Sequence, residues 1–327
     1  MRFRQAVETD IPAIVATFDG RNAVPLRPRV RAALPGLLRQ VIASPSCTLA
    51  VFEETDAAGL HIFSFASGLF VRDAVIERYL ADPQPALVAS ILADMLDDHR
   101  PLLTLDEIRQ ANAGAGLALA VFAMPLGNRA WDDPLVAELR QLAPQAFLRF
   151  YGGYRLKAIY YEVFADDVAT YLQAGGYRLL HDFSTLAGTG FLDRESRPRM
   201  MRLTRAELPP GAMSMATQMF DPPAARLGLT SAEQRIALQA LDGASDRSVA
   251  ETLGLSGETV RSNWRSIYRR LAWELPGMEE LTPRGGSATR GLEKRRVAIE
   301  YLRQNMHELR PLPALPRHAG SSRALRR

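Results

Sequence analysis

Cysteine is almost absent. Cys47 is the only one in 327 residues, which excludes an internal disulfide and any cysteine-rich zinc site. No histidine or basic residue stands beside it to activate a thiolate, so it reads as a small buried hydrophobe. Lysine is nearly missing too: Lys157 and Lys294 are the only ones among 40 basic residues, a bias that fits a GC-rich bacterial genome and carries no functional information. No apolar run approaches the roughly 18 residues of a membrane span, and the opening MRFRQAVETD lacks the apolar stretch of a secretion signal. A cytoplasmic protein without membrane contact is expected. His61 and His181 lie in strand-like runs with no Cys, Asp or Glu at ligand spacing, so neither a metal nor a cofactor is assigned.

With 47% hydrophobic and 23% charged residues the chain has the composition of a globular protein. Its length suits two domains. Charge is divided unevenly: from Leu229 onward 17 basic residues face 11 acidic ones, whereas the preceding part carries 23 against 25. A basic segment joined to a near-neutral one suggests a polyanion-binding module attached to something else.

Between residues 1 and 207, short apolar runs of strand type (48–52, 61–71, 117–124, 158–164 and 177–184) alternate with helical periodicity (10–18, 29–42, 85–96, 134–142 and 166–173). This predicts an α/β domain with a mixed sheet. Residues 208–228 hold four prolines and three methionines with little periodicity, as a connector would. The basic segment then occupies 229–275. A Pro/Gly-interrupted insert and a helical run fill 276–309, and a basic tail over 310–327 is expected to be disordered.

Residues 229–271 carry a dense set of helix signals. Thr230 followed by Glu233 is a capping box, opening a helix whose Ile236, Ala240 and Leu241 share a face. Gly243 ends that helix. Ser245 caps a second, shorter one that carries Val249, Ala250 and Leu253, and Gly254 permits a tight turn before Ser256 caps a third. In the third, Val260, Trp264, Ile267, Tyr268 and Leu271 form one apolar stripe, which turns Arg261, Ser262, Arg265 and Arg269 elsewhere. A turn between two helices, the second with a basic outward face, is the layout of a recognition helix.

The segment LTSAEQRIALQALDGASDRSVAETLGLSGETVRSNWRSIYRRL resembles, without a gap, the C-terminal helix-turn-helix of the LuxR family of transcriptional regulators. It departs from the family at Ala232, Ser248 and Asn263, commonly arginine, glutamate and histidine there, and at Gln239, often leucine. The resemblance implies double-stranded DNA as partner, with bases read by Arg261, Ser262 and Arg265. Phosphates would be met by Thr230, Ser256, Thr259, Asn263, Arg269 and Arg270. It also implies a homodimer on a pseudo-palindromic site, the helix over 289–309 being a candidate dimerisation element whose Arg295, Arg296 and Arg303 offer phosphate contacts instead.

Two frequent companions of that module find no support: there is no paired acidic motif of a receiver domain, and Tyr79 with Asp82-Pro83 is only a fragment of the acyl-homoserine-lactone receptor signature. RFRQAVETDIPAIVATF and AIYYEVFADDVATYLQAGGYRLLHDF are instead similar to the first strand and helix, and the late strand, helix and strand, of the GNAT acetyltransferase fold, with 199–205 as its closing strand. That fold holds the pyrophosphate of acetyl-CoA on amides of a Gly-rich turn at a helix N-terminus. The corresponding MPLGNRAWDDPLVAEL has one glycine and two aspartates. The expected function is therefore a DNA-binding regulator controlled by a ligand-sensing or dimerising α/β domain that is not an enzyme. The alternative is an active acyl-CoA-dependent N-acetyltransferase fused to a DNA-binding module.

Overall fold

The computed structural model describes residues 1–19, 22–56, 59–122, 124–189, 192, 196–208, 219–274 and 288–311. The chain divides into two compact units, Met1–Asp221 and Pro222–Arg327.

In the first unit the elements run β1 (Arg2–Gln5), α1 (Ile11–Ala16), α2 (Pro28–Ala43), β2 (Cys47–Asp56), β3 (Gly59–Val71), α3 (Asp73–Ala81), α4 (Leu87–Leu96), α5 (Leu105–Ala113), β4 (Leu117–Phe122), α6 (Pro134–Tyr151), β5 (Leu156–Val163), α7 (Asp166–Ala174), β6 (Arg178–Asp182) and β7 (Arg199–Thr204). The strands form one mixed sheet in the order β1-β2-β3-β4-β5-β7-β6. β4 and β5 pair in parallel, from Leu117 opposite Leu156 to Val121 opposite Tyr161, with α6 as their crossover. The remaining pairs are antiparallel. β4, LALAVF, is buried at every position, as a strand covered on both faces must be.

Each face of the sheet has its own core. Leu34, Leu37, Leu38 and Val41 of α2 and Ile91 and Leu92 of α4 pack with Phe65, Leu69, Ala118, Ala120 and Tyr160 on one side. Leu139 and Ala146 of α6 and Val168 and Leu172 of α7 cover Phe52, Val163 and Met201 on the other. The expected strands and helices are all present with shifted ends, and α3 and α5 are additional. α6 continues nine residues past its expected end, through Pro144. Proline has no N–H to offer the carbonyl of Arg140 one turn earlier, and the Tyr171 hydroxyl of α7 donates to that oxygen instead, at 3.3 Å.

The second unit holds α8 (Ser231–Leu241), α9 (Asp246–Leu253), α10 (Gly257–Glu274) and α11 (Ala288–Gln304). The Thr230–Glu233 capping box and the Ser245 cap form as expected. Gly254 takes φ +64, the left-handed conformation that ends α9. Val260, Trp264, Ile267 and Leu271 of α10 are buried. α11 adds Ala298 and Leu302, both fully buried, to the same core, followed by Met306 and Leu309. Its apolar side is thus used inside the unit. The buried Glu308 carboxylate accepts from the backbone N–H of Arg226 at 3.0 Å and of Leu227 at 2.9 Å, tying the beginning of the unit to its end. Of the expected connector, Met219, Phe220 and Leu227 are buried. Most of the insert and all but two residues of the tail lie outside the described residues.

Candidate functional site

Ligands of open α/β sheets collect outside the carboxyl ends of parallel strands. Here the β4/β5 pair defines that place. The two strand ends are joined by Asn22, 4% exposed: its side-chain amide donates to the Met124 carbonyl at 3.0 Å and its oxygen accepts from the Phe164 N–H at 2.9 Å. On the α6/α7 side lies a cavity of about 520 Å³, bounded by Ala50, Ala66, Val121, Ala143, Ala146, Ile159, Leu172 and Leu203 among others. Alanines at facing positions of sheet and helix leave the room. Three tyrosine hydroxyls around it are engaged elsewhere. Tyr151 lies 2.9 Å from the Thr48 carbonyl and 3.0 Å from that of Gly68, Tyr161 hydrogen-bonds the Met124 backbone, and Tyr171 bonds Arg140. Cys47 is buried, its Sγ 3.2 Å from Ser67 Oγ. Burial pushes its thiol up to about 12, so it is no nucleophile.

At the start of α6 the anion site of a helix N-terminus is filled by the chain itself. Asp133 accepts from Leu135 N–H at 2.9 Å, with Pro134 in the first turn. That bond, with Arg129 at 3.1 Å, holds the Asp133 carboxyl below its usual range. A diphosphate does not fit against this terminus while the carboxylate occupies it.

The opposite face of the same strand end carries polar groups. Glu162 of β5 is 2% exposed, and its oxygens accept from Ala86 N–H at 2.5 Å and Leu87 N–H at 2.7 Å, at the head of α4. Ala86 has φ +68, a strained value for a residue with a Cβ. Burial raises the Glu162 carboxyl to about 7 against those two amides. Beside it the Tyr79 ring meets the His181 ring edge-on at 5.9 Å. Tyr79 Oη and His181 Nε2 are buried with no hydrogen-bond partner among the described residues. Sequence reasoning passed over Glu162 and Asn22 because neither belongs to a spacing pattern.

The residues assigned to DNA lie on α8 and α10 or at their caps. Arg261, Ser262, Arg265 and Arg269 are exposed. Glu258 accepts from Arg261 at 2.9 Å and from Arg265 at 3.1 Å. Thr230 and Ser256 use their hydroxyls as N-caps, bonding Glu233 N–H at 3.3 Å and Thr259 N–H at 3.0 Å. The Thr259 hydroxyl bonds Ser256, and the Asn263 amide donates to the Thr259 carbonyl at 2.8 Å. Arg270 points inward, donating to the Leu227 carbonyl at 3.0 Å with its Nε 3.6 Å from Glu233. Arg295 is turned inward as well, over the Trp264 ring and onto Asp246. Arg296 pairs with Glu293 and Arg303 with Glu300. Among the described residues no group of three or more His, Cys, Asp or Glu is placed to hold a metal, and no helix is long and apolar enough to cross a membrane.

No protein-family model and no curated protein matches the chain. Solved structures do match it over its N-terminal part. A spermidine/spermine N-acetyltransferase of Vibrio cholerae is 12% identical, with 63% of this chain and 94% of that one covered at a TM-score of 0.36. Arabidopsis thaliana NAA60, solved with acetyl-CoA, is 11% identical, with 63% and 98% covered at 0.38. A polyamine N-acetyltransferase of Drosophila melanogaster is 14% identical, with 62% and 99% covered at 0.35. The likeness is one of fold. Two of these matched structures are named as N-acetyltransferases and the third was solved with acetyl-CoA, which runs against the expectation that this chain is not an enzyme.

Proposed function

We propose that the N-terminal unit is an N-acyltransferase, moving an acyl group from a thioester to an amine, and that it is joined to a DNA-binding module. The observation that carries the first half is the cavity of about 520 Å³ reaching Val121 and Met124 where the parallel pair ends. An acyl group lodged there has its thioester at the strand ends. On the other face of β5, burial raises the Glu162 carboxyl to about 7, the range that suits a general base. Coenzyme A is the ordinary carrier of such acyl groups, but its diphosphate has no place at the α6 N-terminus beside Asp133. The acyl end of the donor is what the residues fit.

The second half is supported by the α9–Gly254–α10 geometry and by the exposed arginines of α10. Arg261 and Arg265, once released from Glu258, can meet guanine O6 and N7, with Ser262 between them and Arg269 toward phosphate. The basic C-terminal third favours the same partner. Thr230 caps α8, Ser256 caps α10 through the Thr259 N–H, and Asn263 lies one turn beyond Thr259.

Two measurements on the full-length protein test the halves separately. Acyl transfer from short and long acyl thioesters to a panel of primary amines should show turnover that Glu162→Gln reduces at least tenfold. No turnover with any pair would overturn the enzyme reading. Selection from random duplex DNA should return a preferred sequence that Arg261→Ala and Arg265→Ala erase, whereas Arg269→Ala weakens all sequences alike. Equal behaviour of the two classes would reject this recognition face.

A further inference from the structure

We infer that the cavity between the sheet and α6/α7 binds a linear acyl chain of roughly eight to twelve carbons, with the oxygen-bearing head held at Arg140. This deepens the acyltransferase reading and rests on it for the word acyl; the cavity and its chemistry stand without it.

Three observations lead there. The first is size: about 520 Å³ is far more than an acetyl group fills, and it lies within the range of sites that enclose a whole small ligand. The second is chemistry. Ala50, Ala146, Val121, Ile159 and Leu172 present hydrocarbon, while the hydroxyls of Tyr151, Tyr161 and Tyr171 are already bonded to backbone. A polar ligand would find few partners inside, and its lost hydration would not be repaid. A hydrocarbon chain needs none. The third is a cation at the edge. Arg140 stacks over the Trp131 ring, which borders the cavity, at 4.4 Å. Its Nε is buried and has no hydrogen-bond partner among the described residues. A buried guanidinium N–H left unpaired calls for an acceptor, and a carboxylate or thioester oxygen at the head of the chain supplies one.

The cavity owes its form to particular residues. Pro144 opens the backbone of α6 at Arg140, and Tyr171 closes the gap from α7. Tyr151 pins the far end of α6 to β2 and β3. Gly68 allows this, since a Cβ there would lie 2.7 Å from Tyr151 Oη. Two fixed points therefore hold the helix away from the sheet, and small side chains between them keep the space open.

The test uses full-length protein and three series of probes, each of four to sixteen carbons: fatty acids, primary alcohols, and acyl thioesters of N-acetylcysteamine, a carrier without phosphate. Displacement of a fluorescent fatty acid gives the affinities. Each added methylene should tighten binding about fourfold, with a plateau near ten to twelve carbons. Ala146→Leu should shift the plateau to shorter chains. Should that variant fail to fold, Ala50→Val narrows the cavity from the sheet side. Arg140→Gln should weaken acids and thioesters about tenfold and leave alcohols unchanged.

Affinity independent of chain length, or a plateau that neither variant moves, would overturn the assignment. An equal loss for all three series in Arg140→Gln would overturn the role of Arg140. Chain-length-dependent binding without acyl transfer to any amine would leave this site standing and refute the acyltransferase reading. Acyl transfer restricted to acetyl donors, without binding of longer chains, would do the reverse.

Discussion

Replacing Glu162 by glutamine should remove a pH dependence of stability whose size follows from the structure. The carboxyl is raised from an ordinary 4.5 to about 7 by burial, which outweighs the two amides of Ala86 and Leu87. A raised acid binds its proton more tightly in the folded chain than in the unfolded one. Stability is therefore greatest when the group is protonated in both states, falls as pH rises from about 4.5 to 7, and levels off above. With these two values the fall between pH 5 and pH 8 is about 2–3 kcal/mol. Glutamine has no proton to lose, so the difference in opening free energy between wild type and Glu162→Gln should shrink by that amount over the interval. Hydrogen exchange of β4 and β5 amides, corrected for intrinsic rates, reads the first unit without interference from the second. Subtracting the variant removes what other titrating groups contribute. A difference constant to within about 0.5 kcal/mol would show that the α4 amides fully offset burial, and the proposed base would then be an ordinary ionised helix cap.

Three further outcomes follow from single contacts. Asp133→Ser should raise the affinity for ADP and coenzyme A about tenfold by calorimetry, since the α6 N-terminus then faces a ligand anion without a competing carboxylate; unchanged affinity would show that this terminus is not the obstacle. Gly68→Ala should destabilise the first unit by about 1–3 kcal/mol in the same exchange measurement, because its Cβ would meet Leu119 Cδ1 and Tyr151 Oη at 2.7 Å. Glu258→Gln should tighten DNA binding and steepen its salt dependence by freeing Arg261 and Arg265; weaker binding would mean that Glu258 itself meets a base edge.

The parts of the fold that could be read in advance are those where one signal repeats. LALAVF has nowhere to be but a strand covered on both faces, and the stripe from Val260 to Leu271 with caps on either side leaves little choice for α8 to α10. α5 carried the same signal as α8, since Thr104 and Glu107 form a capping box, but only Ile108 of its nine residues is buried, so no apolar stripe drew attention to it. α3 follows β3 after Arg72 alone, without glycine or proline to mark the change of period. The site was less legible for a different reason. Glu162 alternates with apolar neighbours and so reads as facing solvent, yet α4 covers that face. Asn22 acts on Met124 and Phe164, more than a hundred residues away, and the cavity is kept open by alanines such as Ala50, Ala66 and Ala146, whose contribution is an absence of bulk that no spacing rule detects.

Arg295 is where the two kinds of reading part most clearly, and the difference can be measured. Its sequence neighbourhood, LEKRRVAIEYLR, suggests a phosphate contact on an outward face. In the folded unit its guanidinium lies 5.1 Å from the Trp264 ring centroid, donates to the Ala244 carbonyl at 3.0 Å and pairs with Asp246, which also accepts from Trp264 Nε1 at 3.2 Å. One side chain of α11 thus fastens the turn between α8 and α9 to the middle of α10. The carbonyl bond and the ring contact are each worth about 0.5–1 kcal/mol, and the pair with the partly exposed Asp246 adds no more than about 1 kcal/mol. Arg295→Ala should then destabilise the second unit by about 2 kcal/mol while leaving the salt dependence of DNA binding unchanged wherever the protein stays folded. A phosphate contact would give the opposite pair of results: unaltered stability, and a slope of log K against log salt smaller by about 0.9. The two outcomes exclude each other. Only the first is compatible with a guanidinium whose donors are already spent within the unit.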